Sequence, residues 1–167
     1  MPPEGTVTAR TGIGYDSHRF APGRPMILGG VKIDSDVGLL GHSDADAVAH
    51  ALTDAILGAA CAGDIGSMFP DSDPMNKGRD SMEMLSLAVE RIEGMGFRVA
   101  HSDITVIAES PRVGPHRSEM CDAIARACRV SPSVISVKGK SNEGMGWIGR
   151  GEGLACIAVA TLVELGR

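Results

Sequence analysis

Aromatic side chains are scarce: one Trp, one Tyr and three Phe make up 3% of the 167-residue chain. A core here has to be assembled from Ala, Val, Ile, Leu and Met, and small side chains bury little area each. That shortfall points to a subunit interface as a further source of burial. No run of about 18 apolar residues occurs, and the opening MPPEGTVTAR carries no hydrophobic stretch of the secretory kind, so neither a membrane span nor export is expected. A basic excess is missing too. The 21 acidic and 16 basic residues leave a net charge of −5, which argues against a nucleic-acid or anionic-membrane partner. There is no CxxC pair; Cys61, Cys121, Cys128 and Cys156 lie in apolar stretches and read as buried free thiols, consistent with a cytoplasmic location.

What is present fits one globular domain over residues 1–167, with 43% hydrophobic and 22% charged residues. Strands are expected over 7–20 and 26–34, around a turn at Pro22–Pro25. A helix is expected over 44–62, capped by Ser43, with Asp44 and Asp46 in its first turn and Gly63 at its stop. A polar loop follows. The Asp80/Glu83 spacing of a capping box opens a helix over 80–94. A strand over 99–108, a helix over 115–129 and a strand over 134–140 come next. Leu154–Leu165 alternates small and branched residues and reads as a last strand. The fold class is α/β (α+β), a mixed sheet with helices on one face.

Three groups of residues can do chemistry. In a strand, Asp16 and His18 point to one side, and His50 lies on the polar face of the first helix with Asp46 and Asp54. Two imidazoles and one carboxylate on rigid elements can make a zinc site with an open fourth position; the alternative is a strand end and an unrelated helix histidine. The second group is the loop 64–74 with Asp64, Asp71 and Asp73, either a binding loop or a solvated connection. The third is KGKSNEGMGWIGRGEG, residues 138–153. Its glycines let backbone amides approach a phosphate, Lys138 and Lys140 supply charge, and Glu143 offers a hard carboxylate for magnesium; a plain glycine-rich turn is the other reading. Gly144, Gly146 and Gly149 also spell GxGxxG, but they are expected to open no helix and no βαβ unit follows, so a dinucleotide site is rejected.

The stretches GIGYDSHRF, LLGHSDADAVAHALTDAILGAACAGDIGSMFPDSD and KGKSNEGMGWIGRGEGLAC resemble the 2-C-methyl-D-erythritol 2,4-cyclodiphosphate synthase family, in the family's order and from about Arg10 to Leu165. The resemblance implies that Asp16, His18 and His50 bind zinc and that Glu143 binds magnesium or manganese. It implies catalytic roles for His42 and Ser141, and substrate contacts from Asp16, His18, His42 and Ser43. Further contacts are implied for Asp64, Ile65, Gly66, Phe69, Pro70, Asp71, Ser72 and Asp73 around the sugar alcohol. Ala108, Pro111, Arg112, Val113, Gly114, Lys140, Ser141, Asn142 and Glu143 match the cytidine-diphosphate pocket, and Trp147 joins the substrate-binding set. Arg112 stands where Lys is common and Lys140 where Thr is common. The implied reaction cyclises 4-diphosphocytidyl-2-C-methyl-D-erythritol 2-phosphate and releases CMP, a step of non-mevalonate isoprenoid synthesis. A zinc phosphodiesterase or a non-catalytic isoprenoid-phosphate-binding trimer are the alternatives. The implied fold is a mixed four-stranded sheet, assembled as a homotrimer with sheets around the three-fold axis, active sites between neighbours, and an axial cavity able to hold an isoprenoid diphosphate with Arg150 as its anion contact.

Overall fold

A computed structural model describes residues 8–165. The chain runs β1 (Ala9–Pro22), β2 (Met26–Leu28), β3 (Val31–Ile33), β4 (Val37–Leu40), α1 (Ala47–Ala59), α2 (Ile65–Met68) and α3 (Ser81–Gly94). It continues through β5 (Phe97–Ile107), α4 (Arg117–Cys128), β6 (Ile135–Lys140), α5 (Gly146–Gly149) and β7 (Gly153–Glu164). Val7, where the first strand was expected to begin, lies outside the described residues. The main sheet has five strands in the order β4-β1-β7-β5-β6, not four, because Val37–Leu40 folds back antiparallel on Arg19–Pro22. Residues 26–33 leave this sheet and pair as a separate β2–β3 hairpin. Only β5 and β6 run parallel, so the sheet is mixed as expected.

Strand β1 sets the position of α1. Its alternate residues Gly12, Gly14, Asp16 and His18 share the side that faces the helix, while Ile13 and Tyr15 face away. A Cβ at Gly14 would overlap the Ala51 carbonyl oxygen, and one at Gly12 the Ala55 carbonyl, so the helix backbone rests directly on the strand. Buried Leu52, Ile56, Leu85, Ile92, Ile104, Met120, Ile124, Leu154 and Leu162 fill the layer between sheet and helices. On the other face Ile13 is 71% and Tyr15 56% exposed, a sheet surface without helix cover.

Helix α1 begins later than its sequence implies. Ala45 takes a left-handed φ of 61°, which no helix interior accommodates, so Asp46 rather than Ser43 is the cap. Asp46 is fully buried and accepts from Val48 and Ala49 N–H at 3.1 Å each, and also from Gly29 and Gly30 N–H of the hairpin turn at 2.8 and 2.7 Å. One carboxylate thus ties the hairpin to the helix start. Asp80 does cap α3, through Met82 N–H at 2.8 Å, but Glu83 pairs with Arg79 instead of closing a capping box. That motif occurs at α2, where Asp64 and Ser67 bond reciprocally. Cys128 and Cys156 are buried, and burial pushes the Cys128 thiol up to about 12; Cys121 is half-buried, and Cys61 is exposed because it turns out of the helix end at φ 55°.

Candidate active site

The close contact of Gly12 and Gly14 with α1 decides what happens two residues further along β1. Strand and helix run antiparallel, so Gly14 meets Ala51 and the next inward residues, Asp16 and His18, meet His50. Asp16 Oδ2 lies 2.7 Å from His18 Nε2 and 3.2 Å from His50 Nδ1, and the two imidazole nitrogens are 3.4 Å apart. Among the described residues this is the one group of three such side chains able to share a metal ion. Tetrahedral zinc with nitrogen ligands at about 2.0–2.1 Å spaces neighbouring donors by about 3.3 Å, so the triangle fits that ion after small adjustments.

The donor chemistry fits as well. His18 Nδ1 lies 2.9 Å from the Leu40 carbonyl, which only accepts, so Nδ1 carries the proton and Nε2 presents a lone pair. Burial tends to raise the Asp16 pKa, but the two imidazoles beside it outweigh that and hold the carboxyl below its ordinary value. Burial pushes His18 down, and the Asp16 carboxylate outweighs that, leaving it above the ordinary imidazole value. Three lone pairs converging on one point repel one another unless a proton or a cation sits among them, and the His18 shift is the proton's share of that demand.

The remaining expected site residues fall into two separate cavities. The first, of about 410 Å³, is lined by His42, Ser43, His50, Ile65, Gly66, Phe69, Pro70 and Asp71. His42 Nδ1 stands 3.7 Å from Asp71 Oδ1 across its mouth. Asp64 and Asp73 do not line it; each caps a short helical turn of the loop, and exposed Ser72 lies between them. The second cavity, of about 580 Å³, is lined by Ala108, Pro111, Arg112, Val113, Gly114, Lys140 and Ser141. Beside it Ser141 donates to Glu143 Oε1 at 2.9 Å. Sheet register puts Asp16 in one row with Cys156, Val106 and Gly139, so both cavities open at the same end of the sheet. Along that row Asp16 and Gly139 stand three strand spacings of about 4.8 Å apart, roughly 14 Å.

The glycine-rich segment does form a helix, contrary to expectation: Gly146 takes φ 65° and leads into the single turn α5 with half-exposed Trp147. No parallel strand follows it, so the dinucleotide reading still fails. Arg150 closes that turn and pairs with Glu152 at 2.7 Å, outside both cavities. Sequence reading missed Asn76 and Met84 in the first cavity and Arg117 in the second, and gave Glu109, inside the expected 108–114 stretch, no role of its own. Glu109 is the most informative of them. Its Oε1 accepts from Asn142 N–H at 2.8 Å and Gly144 N–H at 3.2 Å, gripping the backbone on both sides of Glu143. A lone acid before Pro111 gives no spacing signal, and the bond joins segments more than 30 residues apart.

An antiparallel-dominated sheet with helices on one face and an Asp–His–His donor cluster at its end fits the class of metal-dependent α+β enzymes. The YgbB family model matches residues 9–163, and the chain belongs to that family. The 2-C-methyl-D-erythritol 2,4-cyclodiphosphate synthase of Gemmatimonas aurantiaca is 57% identical over 161 residues, which cover 96% of this chain and 97% of that one. Among solved structures, the bifunctional IspDF of Campylobacter jejuni superposes with a TM-score of 0.92 at 41% identity, over 96% of this chain and 43% of that longer protein. The IspF of Plasmodium falciparum in a CDP complex gives a TM-score of 0.85 at 33% identity, over 97% of this chain and 100% of that one.

Proposed function

We propose that the chain cyclises 4-diphosphocytidyl-2-C-methyl-D-erythritol 2-phosphate to 2-C-methyl-D-erythritol 2,4-cyclodiphosphate and releases CMP, in isoprenoid biosynthesis. The observation that carries the reading is the Asp16–His18–His50 triangle opening into a cavity walled by His42, Ser43 and the 65–71 loop. Relatives bearing the synthase name, and a relative solved with CDP, support it. Asp16, His18 and His50 would hold zinc, and Glu143 would hold magnesium or manganese, a hard ion that takes few protein carboxylates and shares the rest of its shell with phosphate oxygens and water. When bound, these ions neutralise phosphate charge and polarise the phosphorus–oxygen bonds.

The rest is positioning by the chain's own groups. The 2-phosphate attacks the β-phosphorus, the bond from that phosphorus to the oxygen bridging to the α-phosphate breaks, and CMP departs with the electron pair. Both reacting groups are anionic, so alignment and charge neutralisation matter more than a protein nucleophile. His42 and the Ser43 hydroxyl orient phosphate oxygens, and the Ser141 hydroxyl steadies the charge that develops at the transferred phosphorus. Ile65, Gly66 and Phe69 to Asp71 hold the sugar alcohol, on a loop that Asp64 and Asp73 brace by capping its helical turns. Ala108 to Gly114 and Lys140 to Glu143 hold the cytidine diphosphate, with Arg112 and Lys140 adding positive charge and Trp147 flanking that half.

A site divided between two separate cavities supports a homotrimer in which one chain's zinc half meets its neighbour's cytidine half. The bare sheet face around Ile13 and Tyr15 would then line the three-fold axis, with Arg150 contacting an isoprenoid diphosphate there. One domain over residues 1–167 working in the cytoplasm completes the reading; among the described residues no helix is long and apolar enough to cross a membrane. The test is purified protein, the cytidine-diphosphate substrate and divalent metal, with products weighed by mass spectrometry. Cyclic diphosphate with CMP is the expected result, whereas an opened, water-added product makes the chain a phosphodiesterase instead.

A further inference from the structure

His50 is held from behind by residues that no part of the site described above uses. Its Nε2 lies 2.8 Å from Ser81 Oγ, and Ser81 is the fully buried first residue of α3. Ser81 Oγ in turn bonds Asp44 Oδ1, while Ser81 N–H donates to Asp44 Oδ2 at 3.1 Å. Asp44 is itself fixed: its Oδ1 also accepts from Asp46 N–H at 3.1 Å, and its own N–H donates to the Arg79 carbonyl at 3.2 Å. Three chain segments, the 44–46 turn, α1 and the start of α3, therefore meet at one hydroxyl.

We propose that Asp44 and Ser81 form a positioning relay that locks His50 in the tautomer whose Nδ1 lone pair faces Asp16 and His18. The donor directions leave one consistent solution. A carboxylate only accepts, so the Ser81 hydroxyl proton goes to Asp44. Having spent its one proton, Ser81 Oγ can only accept from His50, so Nε2 carries the ring proton. Nδ1 is then bare, and it is the atom 3.2 Å from Asp16 and 3.4 Å from His18 Nε2. The Leu40 carbonyl does the same for His18 from the opposite ring nitrogen. The relay has a second effect. Ser43 Oγ lies 3.0 Å from the same His50 Nε2 and 3.4 Å from Ser81 Oγ, and a protonated Nε2 directs the Ser43 hydroxyl hydrogen away from the ring.

The claim about metal affinity rests on the zinc reading above; the claim about the tautomer does not, and the experiment separates them. Ring-¹⁵N spectra of the histidine-labelled, metal-free protein near pH 8, with His50→Gln for assignment, read which nitrogen carries the proton. The relay requires Nε2; a proton on Nδ1, donated to Asp16, overturns it whether or not the protein takes zinc. Chelator competition then measures zinc affinity in Ser81→Ala, Asp44→Ala and the double variant. Each single change is expected to weaken zinc by about 10- to 100-fold, the usual effect of removing a ligand's outer partner. Because Asp44 acts through Ser81, the double variant should bind no more weakly than the weaker single. Unchanged affinity in folded single variants, or a double loss equal to the product of the two, makes these residues merely structural. If the variants do not fold, the wild-type spectrum decides alone.

Discussion

The Asp54 carboxylate accepts a hydrogen bond from Ile65 N–H at 2.7 Å, joining the helix that carries His50 to the loop that walls its cavity. Asp54 stands one helical turn after His50, on the same face of α1. The loop is therefore referenced to the helix carrying His50 rather than hanging from its own ends. Asp64 adds a local brace by capping α2, whose first residue is Ile65.

Asp54→Ala should cut the loop free without touching Asp16, His18 or His50. The expected cost to stability is about 1 kcal/mol, for one backbone donor left without its charged acceptor. Zinc content should stay at the wild-type level while KM for the cytidine-diphosphate substrate rises more than kcat falls. Steady-state kinetics with metal analysis on the same sample checks this; an unchanged KM would show that the loop does not depend on α1.

Two glycine substitutions, one inside the strand–helix contact and one on the exposed side of α1, should move stability in opposite directions. Gly14→Ala puts a methyl group into the Ala51 carbonyl, forces α1 off the strand and should cost about 1–3 kcal/mol or more, with loss of zinc as His50 moves out. Gly58→Ala lies in the same helix with nothing within 4 Å of the added methyl, and should stabilise by up to about 1 kcal/mol. Thermal melts of the two variants settle both. A neutral Gly14→Ala would mean that the close strand–helix approach does not set the site.

The contrast between these glycines shows what could be read from the sequence. Alternation in β1 put Asp16 and His18 on one side, and helical periodicity put His50 on α1; but only the absent side chains at Gly12 and Gly14 bring the two elements within coordination distance. That Ser43 leaves its expected capping role for the cavity follows from the left-handed Ala45, which no propensity reports. The fifth strand was missed because Val37–Leu40 is four residues long and draws its stability from pairing with the end of β1. Ser81 and Asp44 were invisible for another reason. Their link spans 37 residues, and serines and aspartates at helix starts are ordinary capping residues.

Protons and metal should compete at the Asp16–His18–His50 cluster in a direction fixed by the shifts. Without metal, the raised His18 contributes stability that is fully present below its unfolded value near 6.5 and is lost as pH rises through the higher folded value. The lowered Asp16 contributes above its unfolded value near 3.8 and loses that as pH falls through its folded one. The metal-free pair is thus most favourable between those limits, and zinc binding, which needs a neutral imidazole, strengthens above them. The melting-temperature difference between zinc-loaded and chelator-treated protein should widen from about pH 6 to about pH 8. A difference that narrows over that range would remove His18 from the ligand set.

The division of the site into two cavities makes the shared-site trimer testable with two inactive proteins. His50→Ala should lose zinc and turnover, since a three-ligand site does not close on two. Glu143→Ala should keep zinc and the fold, because Glu143 is exposed, yet lose magnesium-dependent turnover. In a cyclic trimer every interface pairs one patch of a chain with a different patch of its neighbour. Mixed one to one with subunit exchange, a site is whole only when its zinc half comes from a Glu143→Ala chain and its other half from a His50→Ala chain. Random rings satisfy that at about ½ × ½ of the interfaces, so roughly a quarter of wild-type activity should return. Native mass spectrometry confirms the exchange. Mixed trimers with no activity would place both halves of each site within one chain, and the roughly 14 Å between Asp16 and Gly139 would then have to be spanned by the substrate alone.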